Sequence, residues 1–125
     1  MVLHILVVDD DLDVLPVLVE MLQVSGFVVT SANSGIAMRE ILAEEGLPID
    51  GVVLDCAMPG EPGAQLALHA KSLQLPVIMI SGNPEAMQFA DENGVQLLQK
   101  PFRTADLLNA IDLAIASGQF GQRDV

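Results

Sequence analysis

Acidic residues gather where two apolar runs stop. Asp9, Asp10 and Asp11 follow HILVV at 4–8, and Asp55 closes GVVLD at 51–55. A hydroxyl, Ser81, ends PVIMIS at 76–81, and Lys100-Pro101 follows VQLLQ at 95–99. Short runs rich in branched residues read as buried strands, so each of these polar groups falls at the C-terminal end of a strand. In an open parallel α/β sheet, ligands bind beyond that edge. Carboxylates, a hydroxyl and an ammonium collected there suit a hard, oxygen-preferring divalent cation such as Mg²⁺, held with water and a phosphate. A carboxylate beside a metal and a lysine is also a nucleophile toward phosphorus. Singly, each group has an ordinary explanation. Acidic residues after strands cap the next helix, the expectation for Asp11 and Asp13, and a lone Ser or Lys-Pro after a strand is usually a turn. Their coincidence on one sheet edge favours a site.

The elements that must position these groups alternate along the chain. Between the strand-like runs, including FVVTSA at 27–32, lie stretches with helical spacing: Leu15, Leu18, Val19 and Leu22; Ile36, Met38, Ile41 and Leu42; Leu66, Leu68, His69 and Leu73; Ala86, Met87, Phe89 and Ala90; Leu107, Leu108, Ile111 and Ile115. Strand alternating with helix predicts an α/β fold, a parallel sheet covered on both faces by helices. GVVL and VIMI are apolar at consecutive positions, as central strands buried on both faces require. Ser25-Gly26, Glu45-Gly46 and Asn93-Gly94 supply helix ends. Asn33 or Ser34 can cap the second helix, Asn83-Pro84 opens the fourth, and Pro16 falls near the first turn of the first helix, where a missing N–H costs least. The expected organisation is a single domain over 1–118 and a short C-terminal tail over 119–125.

Composition narrows the partners. The 125 residues suit one domain, and 51% hydrophobic content rules out disorder despite a net charge of -12. With 17 Asp and Glu against 5 Lys and Arg, direct binding to nucleic acid or to an anionic membrane is disfavoured. The absence of Trp and Tyr removes aromatic platforms for stacking bases. A single cysteine, Cys56, excludes an internal disulfide, and His4 and His69 are too scattered for a metal cluster. No run approaches the ~18 apolar residues of a membrane span, and the N-terminus lacks an export signal, so a cytoplasmic location is expected. Neither G-x-G-x-x-G nor a Walker loop is present.

VVDD at 7–10, VVLDCAMPG at 52–60, VIMISG at 77–82 and QKPF at 99–102, taken in that order, resemble the receiver domains of two-component response regulators. The resemblance spans nearly the whole chain and implies a doubly wound, five-stranded, flavodoxin-like sheet of order 2-1-3-4-5 with five helices. It implies that Asp55 accepts a phosphoryl group from the phosphohistidine of a sensor histidine kinase or a histidine phosphotransfer domain. Asp10 would ligate Mg²⁺ directly, Asp9 largely through water, and Ala57 through its backbone carbonyl. Ser81 would bond a phosphoryl oxygen, Lys100 would contact the phosphate, and a cis peptide before Pro101 would aim that lysine. Such a domain is a signalling switch that catalyses only its own phosphorylation and dephosphorylation, not a turnover enzyme.

Leu97 departs from the pattern, because the family usually places an aromatic residue there. The fifth helix offers Arg103, Asp106 and Asp112 but is otherwise nearly apolar around its circumference. That predicts a homodimer or effector contact over helix 4, strand 5 and helix 5, unless Ala105, Ala110, Ala114 and Ala116 are small enough to sit exposed. Three other readings compete. Asp9, Asp11, Asp13 and Glu20 have EF-hand spacing, but Val14 stands where that loop needs Gly. Asp9 and Asp11 have the D-x-D spacing of haloacid-dehalogenase-type phosphatases, which would make Asp9 the nucleophile. A receiver-like interaction module that has lost phosphorylation is the remaining class. Cys56 is expected to be a buried structural thiol, and His69 a surface or core-edge residue.

Overall fold

The computed structural model describes residues 2–44 and 47–116. Its elements are β1 (His4–Val8), α1 (Val14–Val24), β2 (Val28–Ala32), α2 (Gly35–Ala43), β3 (Gly51–Asp55), α3 (Gly63–Ser72), β4 (Val77–Ser81), α4 (Pro84–Asn93), β5 (Gln96–Gln99) and α5 (Thr104–Ala116). The sheet runs β2-β1-β3-β4-β5 with every neighbouring pair parallel. No described helix is long and apolar enough to cross a membrane. The expected tail at 119–125 and the expected helix end at Glu45-Gly46 lie outside the described residues.

Side chains on a strand alternate between faces, and here each face has its own core. Ile5, Val7, Val53, Ile78 and Ile80 join α1 and α5 through Leu18, Leu22, Leu107 and Ile111. Leu6, Val8, Val52, Leu54, Val77 and Met79 join α2, α3 and α4 through Met38, Leu66, Ala67, Ala70 and Ala90. Central β3 and β4 are buried at every position, which accounts for their unbroken apolar runs. The edge strands β2 and β5 carry Thr30, Ser31, Gln96 and Gln99 and are more open.

Local chemistry sets the boundaries. Ser34 Oγ accepts the Ala37 N–H at 3.0 Å and starts α2, and Asn83 Oδ1 accepts the Glu85 N–H at 2.9 Å ahead of Pro84 in α4. Gly94 ends α4 in the left-handed region at φ 64°. At the matching end of α3 the residue is Gln74, with φ 63°. A non-glycine residue costs about 1–2 kcal/mol there.

The helical stripes need correction on three elements. In α3, Leu68 and Leu73 are 45% and 41% exposed, while Ala67 and Ala70 are fully buried. In α4, Met87 is exposed and Ala90 buried, and in α2, Ile36 is exposed while Met38 is buried. Small residues let α3 and α4 approach the sheet closely, so the larger side chains fall outside. In α5, the apolar circumference is chiefly a buried stripe, since Ala110 and Ala114 are covered. Its open side bears Ala105, Asn109, Asp112 and Leu113.

The described cations are all engaged. Arg39 pairs with Glu61, Lys71 donates to the Asn93 carbonyl, Lys100 to Asp55, and Arg103 pairs with Asp106.

A close backbone approach lies just past β3. A Cβ at Gly63 would stand 2.9 Å from the Cα of Cys56, so a main chain must shift to admit one. Gly63→Ala is therefore expected to cost about 1–3 kcal/mol, read as a lower urea midpoint at unchanged m-value. An unaltered midpoint would refute this close packing.

Candidate functional site

Parallel strands in register bring distant residues to one edge. Val8 pairs with Leu54, Asp55 with Ile80 and Ser81 with Gln99. Asp9, Asp55, Ser81 and Lys100 therefore arrive together at the C-terminal edge of β1, β3, β4 and β5. One carboxylate oxygen each from Asp9, Asp10 and Asp55 lie within 4.8 Å of one another. Asp9 and Asp55 are only 2% and 4% exposed, whereas Asp10 is open to solvent.

Donors converge on one oxygen of Asp55. Lys100 Nζ donates to Oδ1 at 3.2 Å, and the Ala57 N–H donates to the same atom at 3.0 Å. The Lys100–Pro101 peptide is cis. Asp9 Oδ1 accepts the Asp11 N–H at 2.9 Å. Ser81, itself buried, accepts the Asn83 N–H on Oγ at 3.0 Å, which ties it to the start of α4. Asp11 acts as a cap, accepting the N–H groups of Asp13 and Val14. Asp13 is exposed, and α1 starts at Val14, so these residues form a strand-to-helix turn and not an EF-hand loop.

Negative charge outweighs positive in the site, with three carboxylates against one ammonium. Burial pushes the Asp9 carboxyl up to about 6; the Asp55 carboxylate beside it adds to the rise, against the opposing Asp11 N–H. One ammonium cannot neutralise both buried acids and Asp10 together. An all-oxygen donor set of this size fits a hard divalent cation. Next along β3, Cys56 is half-buried, and burial together with Asp55 pushes its thiol up to about 12. That makes it an inert packing residue.

Leu97 is half-buried against the core that α2, α3 and α4 share, and Phe89 and Ala86 also pack against that cluster. Phe89 also lines a cleft of about 590 Å³ that runs past Ser81, Gly82 and Ala57. Spacing placed Phe89 in a helical stripe but singled out neither Arg39 nor Glu61. For Arg39 the signal was rarity, one of 5 cations in the chain.

A family model for the response regulator receiver domain matches residues 5–112. The chain belongs to that family. Receiver domains are signalling switches of two-component systems and not conventional enzymes. Among solved structures, a receiver protein from Sinorhizobium medicae is 33% identical, with a TM-score of 0.80 over 93% of this chain and 96% of that one. A receiver domain protein from Clostridium thermocellum is 28% identical, with a TM-score of 0.84 over 94% and 98%. Protein PetR of Rhodobacter capsulatus is 32% identical over 87% of this chain. The chain covers only 47% of PetR and 28% of the transcriptional regulatory protein PgtA of Salmonella typhimurium. This receiver domain thus spans about half or less of those curated relatives.

The raised Asp9 group gives a pH dependence with a definite sign. Folding lifts its titration from 3.8 to about 6, so the native state holds a proton that the unfolded chain releases. Stability fully present below 3.8 is lost as pH rises through about 6, by roughly 3 kcal/mol. In chelator, urea unfolding of the wild type should weaken across that window, and Asp9→Asn should flatten the profile. An identical profile in the variant would remove Asp9 as the cause.

Proposed function

We propose that this receiver domain is phosphorylated on Asp55 in a Mg²⁺-dependent reaction, by the phosphohistidine of a sensor histidine kinase or a histidine phosphotransfer domain. The supporting observation is the convergence of three carboxylates within 4.8 Å, with the Lys100 ammonium 3.2 Å from Asp55. A carboxylate oxygen of Asp55 attacks phosphorus, the P–N bond breaks, and its electron pair stays with the leaving imidazole. From a phosphohistidine whose other ring nitrogen is protonated, this leaves an acyl phosphate on Asp55 and a neutral histidine. Transfer of this kind depends mostly on positioning and charge neutralisation.

Asp10, Asp9, Asp55 and the Ala57 carbonyl would hold the Mg²⁺, which when bound neutralises charge on these acids and on the phosphoryl oxygens. Lys100 would donate to a second oxygen of the transferred group, while the Ala57 N–H keeps the Asp55 carboxylate oriented. Donor access lies over an apolar rim. Leu12, Val14 and Val17 are 71%, 40% and 53% exposed on α1 and the turn before it, and Val14 shares a hollow with Lys100, Pro101 and Phe102.

The new phosphoryl oxygens would accept the Ser81 O–H, a bond the hydroxyl makes while its oxygen still accepts the Asn83 N–H. Ser81 moving toward the phosphoryl would therefore draw the loop at 82–83 with it and bias the α4–β5–α5 face. That face, where Met87 is 42% and Leu113 59% exposed, would receive an effector or a second copy of the chain. Leu97 replaces the usual aromatic residue there, so the aliphatic side chain and Phe89 transmit the change.

Incubation with acetyl phosphate and Mg²⁺, followed by intact mass measurement, should give one phosphoryl adduct that EDTA and Asp55→Asn each abolish. Absence of any adduct points instead to an interaction module without phosphorylation. An adduct surviving Asp55→Asn points to Asp9 as nucleophile.

Ser81→Ala should still take the adduct. It should lose the phosphorylation-induced change in amide exchange across 82–99, and an unchanged exchange response would sever Ser81 from the readout.

A further inference from the structure

The loop that follows the acceptor, residues 56–62, leaves β3 and returns almost to its start. Gly63 sits so close to Cys56 that an added Cβ would meet the Cys56 Cα at 2.9 Å, which closes the base of the loop. At the near end, the Ala57 N–H bonds Asp55 at 3.0 Å. At the far end, the Pro62 carbonyl accepts from Gln65 at 3.0 Å and Leu66 at 3.2 Å, the first turn of α3. Between them, from Met58 to Glu61, the main chain makes no hydrogen bond among the described residues. Pro59 has no N–H to give.

Side chains hold this tip instead. Met58 packs against the α2–α4 core. Glu61 takes a two-pronged bond from Arg39: Nε donates to Oε1 at 2.8 Å, and Nη2 donates to Oε2. Forked Arg–carboxylate pairing fixes orientation as well as distance. Arg39 stands on α2, whose Met38 is fully buried, so the guanidinium braces the loop from a packed helix. Its hydrogen bond also holds the Glu61 carboxyl below the usual carboxylate range, with His69 adding to the effect. Side chains 40% and 26% exposed contribute little to global stability. Their effect is local, on a stretch of main chain with no other polar tie.

We propose that Arg39 is a positioning residue: through Glu61 it fixes the β3–α3 loop so that the Ala57 carbonyl is preorganised as an oxygen ligand for a divalent cation beside Asp55. This rests on the phosphoacceptor assignment above. Arg39 bonds Glu61 and acts on the cation only through the loop, so its loss lowers metal affinity and leaves the transfer step intact.

The test uses the full chain and two readouts, Mg²⁺ titration by calorimetry and the Mg²⁺ dependence of acetyl phosphate labelling. Arg39→Ala and Glu61→Gln should each raise the half-saturating Mg²⁺ concentration about tenfold. Labelling at saturating Mg²⁺ should stay within about twofold of wild type. Arg39→Lys should recover part of the affinity, and the exchanged pair Arg39→Glu with Glu61→Arg should recover more than either single charge reversal. Unchanged Mg²⁺ affinity in both single variants, or no recovery on exchange, would overturn the positioning role. If Arg39→Ala unfolds, Glu61→Gln and Arg39→Lys decide by the same measurements. A wild-type chain that binds Mg²⁺ but takes no adduct would sink the phosphoacceptor assignment, while calorimetry still judges Arg39. A wild-type chain that binds no Mg²⁺ would sink both.

Discussion

Two carboxylates are forced side by side at the end of the central strands, and much of the molecule is organised around that repulsion. Asp9 and Asp55 are almost fully buried, and one lysine reaches them. Burying like charges is unfavourable unless they are paired or one is neutralised, and burial first, with the neighbouring Asp55 adding to it, lifts Asp9 to about 6. The arrangement persists because apolar packing on both faces of β1 and β3 holds the strand ends in place. An apolar scaffold thereby keeps a site that favours the arrival of positive charge.

That scaffold was largely legible in the sequence. Strands β1, β3 and β4 announce themselves because both faces are covered, so GVVL and VIMI carry no polar position to confuse the reading. The site was legible for the same reason: Asp55 and Ser81 are the first polar residues after long apolar runs, and parallel register then aligns them. Helix faces were harder. Leu68, Leu73 and Met87 outweigh Ala67, Ala70 and Ala90 in hydrophobicity, yet the alanines are inside. Hydrophobic weight does not say which side of a helix lies closer to the sheet. Closeness of approach decides that, and only the assembled layers fix it.

The remaining gaps arose from long-range partners and from backbone conformation. Arg39 and Glu61 stand 22 positions apart in chain order, and their pairing depends on how α2 lies beside the loop after β3. Gln74 occupies a left-handed position that a glycine would have advertised. Leu97 is clear as a departure in sequence, but only the packed structure shows Phe89 approaching the same region from α4. Together these residues mark what sequence order alone leaves open in this receiver domain: pairings and close approaches that arise only when the layers assemble.

The imbalance of 5 Lys and Arg against 17 Asp and Glu has a consequence for encounters in solution, because paired or not these cations leave the net charge at -12. Field lines from such a surface extend about one Debye length, roughly 8 Å at physiological ionic strength. A docking partner with a basic rim is drawn in and oriented before contact, and an acidic one is turned away. Selection among competing partners therefore begins in the diffusional approach, where added salt erodes it first.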